Sequence, residues 1–209
     1  MKHRTKTLAA VATLLAAAIT ITGCLGREKI AASKNYYILR LSPPQRQNAQ
    51  IPALLKIRQV RAAAPYDGQS LIFHLGDGRF RADYYNQFLS PPDEQLTELL
   101  AGWLRDAAVF SNIMTATSRA EPDYILEPHL LELFCDITDK TNPTVNVKMR
   151  FVLLKIDKTC DCGRIAMDRT YQKNIKLSQA ASDDIVNAAG QAAEIIFSEL
   201  TKDLSALKP

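Results

Sequence analysis

Residues 70–85 read SLIFHLGDGRFRADYY, and they carry the clearest local signal in the chain. Leu71, Phe73 and Leu75 alternate with Ile72 and His74, the period of a strand with two unlike faces. Asp77-Gly78 then offers the positive φ angles that a tight hairpin turn demands. Phe80, Ala82 and Tyr84 are expected to continue the alternation on the return strand. A β-hairpin is therefore the nucleus from which the rest of the fold is read.

A helix is expected directly downstream. Ser90 is placed to cap it, and Pro91 suits a first helical position, where no amide proton is needed. Leu96, Leu99, Leu100, Trp103, Leu104 and Ala107 recur at helical spacing, while Asp93, Glu94, Glu98 and Arg105 fall mostly off that stripe. Upstream, NYYILRL predicts a short strand over Tyr36–Leu41, stopped by Pro43-Pro44, and ALLKIRQV predicts another over 53–60. The second half repeats the plan. PDYILEPHLLELFCDI reads as a long strand bulged at Pro128. The turn DKTN follows, then the strand TVNVKMRFVLLKID, the turn KTCDCG and the strand RIAMDRTYQKNI. A helix near 182–205 closes the chain, with Ser182 or Asp183 as its cap and Ile185, Ala189, Ala192, Ile196 and Leu200 as its buried stripe. Strands then a helix, twice over, predicts an α+β domain with two main helices packed on one face of a mostly antiparallel sheet. The repeated order also allows a pseudo-duplicated unit, although residue-level similarity between the halves is weak.

The N-terminus decides where the domain resides. Lys2, Arg4 and Lys6 precede LAAVATLLAAAITI (8–21), and no acidic residue occurs before Glu28. A basic start, a short apolar segment and small residues before a cut form a secretory signal peptide, too short for the ~20 residues of a comfortable membrane span. Ile21-Thr22-Gly23-Cys24 resembles the bacterial lipobox. Cleavage before Cys24 exposes a thiol for a diacylglycerol thioether and an amino group for further acylation by a fatty acid such as palmitate. Two or three chains hold a protein firmly on a bilayer, since each buried methylene contributes ~0.8 kcal/mol. Leu25, in place of an aspartate, favours the outer membrane. The expected organisation is a signal peptide over 1–23, a lipidated tether over 24–34 and one periplasmic domain over 35–209.

Charge narrows the partners. The chain has 26 Lys+Arg and 22 Asp+Glu; without Lys2, Arg4 and Lys6 the mature part has 23 against 22, a net +1. No basic block is present, which argues against nucleic acid.

The residues for catalysis are sparse. Beyond the leader only His74 and His129 remain as histidines, both in expected strands. No nucleophile elbow, phosphate-cradling glycine loop or His-Glu-x-x-His helix occurs. Asp183-Asp184 suits a helix N-terminus better than acid–base work. Cys160-Asp161-Cys162 lacks the ligands to complete a zinc site and the following helix start that would lower a thiol pKa. No catalytic residue, cofactor or metal site is expected. If a disulfide forms within the chain, it joins Cys160 to Cys162; two free thiols at an exposed turn is the other state. The DKTN turn sets Cys135 roughly opposite Asn146, and the strand from there to the next turn spans roughly 40 Å, far beyond the ~7 Å that a disulfide tolerates between Cα atoms.

Three segments resemble one family in order. They are KNYYILRL (34–41), PYDGQSLIFHLGDGRFRADYYNQFLSPPDEQLTELLAGWLRDAAVFSNIM (65–114) and EPDYILEPHLLELF (121–134). Tyr36, Tyr37 and Leu39, and then Asp123, Tyr124 and Leu126, match motifs of the ABC-type transport auxiliary lipoproteins. Pro122 replaces the family's alanine, and Phe88 stands where a tryptophan is common. The resemblance implies a non-catalytic lipoprotein that works with an ABC permease, its ATPase and a mammalian-cell-entry (MCE) domain protein in lipid traffic across the envelope. An interaction lipoprotein for outer-membrane assembly or cell-wall synthesis is the alternative, and a periplasmic enzyme a third. Homo-oligomerisation is left open.

Overall fold

The computed structural model describes residues 33–47, 50–115, 118, 120–160 and 162–207. The expected leader, Cys24 and nearly all of the tether lie outside them. The described elements are β1 (Asn35–Tyr37), β2 (Ile51–Ile57), β3 (Arg61–Ala62), a 3-10 turn (Ala64–Tyr66), β4 (Ser70–Gly76), β5 (Arg79–Phe88), α1 (Pro92–Ala107), β6 (Phe110–Thr115), β7 (Tyr124–Asp136), β8 (Thr144–Asp157), β9 (Cys162–Lys176) and α2 (Ser182–Ser205). The strands form one nine-stranded sheet with two helices, the expected α+β fold. No helix among the described residues is long and apolar enough to cross a membrane.

β7 is the spine of this sheet. One side pairs with β8 along its whole length. The other side is shared by three short parallel strands: β2 beside Tyr124–Leu126, β3 beside His129–Leu130 and β4 beside Cys135–Asp136. This arrangement explains Pro128. Leu126 and Leu130 accept hydrogen bonds from Arg58 and Ala63 on that side, so residue 128 faces the same way, into the gap between β2 and β3. A proline, which has no N–H to donate, fits a position with no partner strand. The ladder is in register at Pro128, and its irregularity lies between Leu130 and Glu132 instead.

The sheet is mostly antiparallel, as expected, but not purely so: its longest ladders are antiparallel and its short ones parallel. β4–β5, β7–β8 and β8–β9 are antiparallel, whereas β1–β5, β2–β6, β2–β7, β3–β7 and β4–β7 are parallel. Turn residues report pairing between consecutive strands only. Parallel partners are brought together by crossovers, which leave no local mark. Cys135 pairs with Val145, one residue from the expected position.

The inner face is built on β7, β8 and the helices. Leu126, Leu130, Met149, Phe151 and Leu153 are fully buried with Leu100 and Leu104 of α1 and Ile196, Phe197 and Leu200 of α2. Phe197 meets Trp103 and Phe151 edge-on at centroid distances of 6.0 and 6.5 Å. Trp103 Nε1 donates to Thr201 Oγ1 at 3.0 Å, and Thr201 donates on to the Phe197 carbonyl, so the polar atoms of this helix contact are satisfied.

Helix and strand ends differ from expectation in instructive ways. Pro91 is the N-cap and Pro92 opens α1, with no side-chain cap; Ser90 instead offers its carbonyl to Gln95 Nε2. Ala181, not Ser182 or Asp183, caps α2, and both aspartates lie in its first turn. β1 stops at Tyr37, because the chain leaves the sheet as a strap over both helices. Gln95 Oε1 accepts the Leu39 N–H, Glu194 Oε2 accepts the Ser42 N–H, and the Ala107 carbonyl accepts the Gln47 N–H. A Cβ on Gly190 of α2 would lie 2.5 Å from the Arg40 carbonyl oxygen, so this helical glycine permits the crossing.

Candidate functional site

Among the described residues, no cysteine presents a free, exposed thiol. Cys160 and Cys162 are joined by a disulfide at the β8–β9 tip, with Cα atoms 5.2 Å apart. Their sulfurs come close to Asp157, but sulfurs bonded to each other are not thiolate ligands. Cys135 sits at the opposite end of β8 and is fully buried. Burial, then the nearby Asp136 charge, pushes its thiol up to about 11, which keeps it protonated and inert at neutral pH.

The histidines are separated by the fold. His74 pairs across the sheet with Asp136, and His129 lies seven residues back along β7, roughly 23 Å away at strand rise. His74 Nδ1 is 3.1 Å from Asp136 Oδ2 and 3.5 Å from Thr138 Oγ1. The acid and the hydroxyl share one ring nitrogen, so they cannot act as orienter and nucleophile on opposite sides of the imidazole. The ring itself packs between Phe80 and Phe134, at centroid distances of 4.8 and 5.8 Å. His129 stands on the outer face at the register of Arg150.

The motif residues Asp123, Tyr124 and Leu126 are architectural. Asp123 Oδ2 accepts the Leu54 N–H at 2.9 Å, and Oδ1 takes Lys158 Nζ at 2.7 Å. The hydrogen bond from Lys158, followed by that from Leu54, holds the carboxyl below its ordinary value. This residue therefore ties the start of β7 to β2 and to the β8–β9 tip. Tyr124 packs on Phe110, and Leu126 is in the core.

A cleft of about 620 Å³ opens between the strap and the start of α1, lined by Ile38, Leu39, Gln95, Thr97 and Leu99 among others. Two of its polar side chains serve the fold. Gln95 holds Leu39 and Ser90, while Thr97 accepts the Val60 N–H and donates to the Asp93 carbonyl. The cleft offers apolar contact more than chemistry.

The most distinctive surface is the β1–β5 edge. Ser70 pairs with Gln87 but Ile72 with Ala82, so three extra residues of β5 bulge outward. Asp83 closes the bulge: Oδ1 accepts the backbone N–H groups of Tyr85 and Asn86, and Oδ2 accepts Asn86 Nδ2. The bulge breaks strand alternation and turns two successive tyrosines to solvent. Tyr84 is 65% and Tyr85 47% exposed, and their rings meet edge-on at 5.2 Å. Lys34 Nζ lies 4.2 Å from the Tyr84 ring centroid and 3.5 Å from Gln87 Oε1. Gln87 is the register partner of Tyr36, itself 53% exposed. The alternation read from sequence misses this, since Phe80, Ala82 and Tyr84 are all exposed. An aspartate immediately before two tyrosines, able to close a local turn, was the available signal.

Residues 36–200 match the family model for the ABC-type transport auxiliary lipoprotein component. The match spans the domain from β1 to the last turns of α2, and the chain belongs to that family. Among solved structures, it is similar to protein XCC0632 from Xanthomonas campestris, with a TM-score of 0.69 and 16% identity over 80% of this chain and 92% of that one. It is also similar to the hypothetical protein CT253 from Chlamydia trachomatis, with a TM-score of 0.50 and 9% identity over 75% of this chain and 98% of that one. At identities this low, the structural likeness shows a shared fold alone. No curated protein matches the sequence.

Proposed function

We propose that this protein is a periplasm-facing lipoprotein, anchored in the outer membrane through Cys24, that serves as a non-catalytic auxiliary component of an ABC/MCE-type lipid transport system. The family match over residues 36–200 carries this reading. The Ile21–Cys24 lipobox and the signal peptide support the anchor, and Leu25 supports the outer membrane. The dispersed histidines, the protonated Cys135 and the structural use of Asp123 agree with a part that docks rather than turns over substrate. The oxidised pair Cys160–Cys162 belongs to the proposal as a small brace at a hairpin tip.

The test is purification of the lipidated protein from native membranes with identification of what accompanies it. An MCE-domain protein, a permease and its ATPase are the expected companions. Wall-synthesis or outer-membrane assembly proteins in their place would favour the alternative role. Cys24→Ala should abolish fatty-acid labelling and leave an unprocessed precursor. Labelling that survives the substitution would exclude Cys24 as the attachment point.

A further inference from the structure

The large apolar side chains left in water are not scattered. Among the described residues, the strongly exposed ones are Tyr36, Ile38, Phe80, Tyr84, Tyr85, Leu89 and Ile165. Five of these belong to β1, the β5 bulge and the residues just beyond them. Soluble surfaces rarely concentrate apolar groups in this way without a use for them.

This edge is also where the chain arrives from Cys24. Nine residues separate Cys24 from Lys34, so Lys34 stays within roughly 35 Å of the lipidated residue even when the tether is fully extended. Lys34 touches Tyr84. The tether therefore keeps the aromatic edge within reach of the bilayer that holds the acyl chains.

The chemistry fits that surface. Tyrosine is enriched at membrane–water boundaries because its ring is apolar and its hydroxyl is wet. Lys34 adds a cation suited to an anionic headgroup. The bulge backbone presents few unmet groups, since Asp83 takes up the Tyr85 and Asn86 N–H groups and its own charge is satisfied in doing so. Asn35 Nδ2 and the Tyr37 hydroxyl likewise donate to Asn86 Oδ1.

We propose that the β1–β5 edge, with Tyr36, Tyr84, Tyr85 and Leu89 leading and Lys34 beside them, rests in the headgroup layer of the bilayer that holds the lipids on Cys24. The edge is a second, non-covalent membrane contact. It fixes the orientation of the domain on the membrane and leaves the β7–β9 face free. The proposal rests on the lipidation of Cys24.

The experiment uses the full lipidated chain, reconstituted into vesicles of phosphatidylethanolamine and phosphatidylglycerol with bromine on the acyl chains near the headgroup. Tyr84→Trp and Leu89→Trp report on the edge, and Gln172→Trp on exposed β9 is the control. Trp103 is buried against Thr201, so the parent protein supplies the background and a check on folding. The expected result is a blue shift and loss of emission at 84 and 89, protection there from acrylamide, and neither effect at 172. Quenching should weaken with Lys34→Glu. Mass spectrometry of the same preparation reports the acyl chains. An unacylated protein would remove the basis of the proposal, whereas an acylated protein with edge reporters open to acrylamide would overturn the membrane contact alone. Shielding that vanishes when the protein is diluted in lipid would assign the edge to a second copy and equally overturn it.

Discussion

Two outward surfaces of the same sheet are finished in opposite ways. On β7, β8 and β9 the solvent face is charged and neutralised strand to strand. Arg58 meets Glu127, Lys148 meets Glu132, and Arg150 meets Asp168 through two hydrogen bonds. At the β1–β5 edge the outward side chains are aromatic, and the polar groups are turned inward to brace a bulge. Both surfaces stand on the same helix-packed core, so stability does not require them to differ. The first is suited to water. The second is suited to a boundary, where a ring is better placed than a charge.

The comparison predicts a descending order of effects. Phe151→Ala removes a fully buried ring of the core, packed against Phe197 of α2 and Tyr171 of β9. It should cost about 3–5 kcal/mol, seen as a large fall in the urea midpoint. A loss under 1 kcal/mol would show that the inner face is not the common support. Gly190→Ala comes next. Its Cβ would meet a backbone carbonyl that has no rotamer to change, so the strap behind β1 has to shift. About 1–3 kcal/mol is expected, with faster amide exchange at Leu39 and Ser42. Unchanged exchange there would mean the aromatic edge is not held by the strap.

Asp83→Ala should cost about 1 kcal/mol through the lost turn bonds and should mix the environments of Tyr84 and Tyr85, read by NMR. Partial burial pushes the Asp83 carboxyl up, but hydrogen bonds from Asn86 and from the Tyr85 and Asn86 amides outweigh it, and the net shift is downward. A lowered folded value means that the contribution is present above the unfolded carboxylate range, near pH 4. It is lost as pH falls through the folded value. The difference between parent and Asp83→Ala stability should therefore shrink in acid, and a difference that grew would reverse the sign argued here. The smallest effect belongs to Arg150→Ala with Asp168→Asn. A double-mutant cycle should return a coupling barely above the error of the measurement, fading with salt, because both partners are exposed. A larger coupling would mean that the charged face does more for stability than its exposure allows.

Much of the domain was legible along the chain. The Asp77-Gly78 turn, the long β7 and β8 strands and both helices appear where local chemistry puts them. Apolar period and turn residues act over a few positions, and such signals survive in one dimension. The places that slipped depend on neighbours far away in sequence. Pro91 rather than Ser90 caps α1 because Ser90 is drawn to Gln95. β6 was not read, since its partner β2 lies over fifty residues upstream. The strap ended β1 early because the helices, not the sheet, hold residues 39–47.

The sequence alone determined the α+β class, the Asp77-Gly78 hairpin turn, the long β7 and β8 strands and the two helices. Each follows from residue type and short-range spacing. Only the tertiary structure decided that β7 has three parallel partners, that Pro128 occupies the gap between two of them, and that Asp123 binds β2 to Lys158. It also decided that Tyr84 and Tyr85 face outward together beside Lys34. The physical reason is one of range. Propensity and turn chemistry act between residues near in sequence, whereas crossovers, bulges and exposed surfaces are set by which distant strands fill the remaining hydrogen bonds.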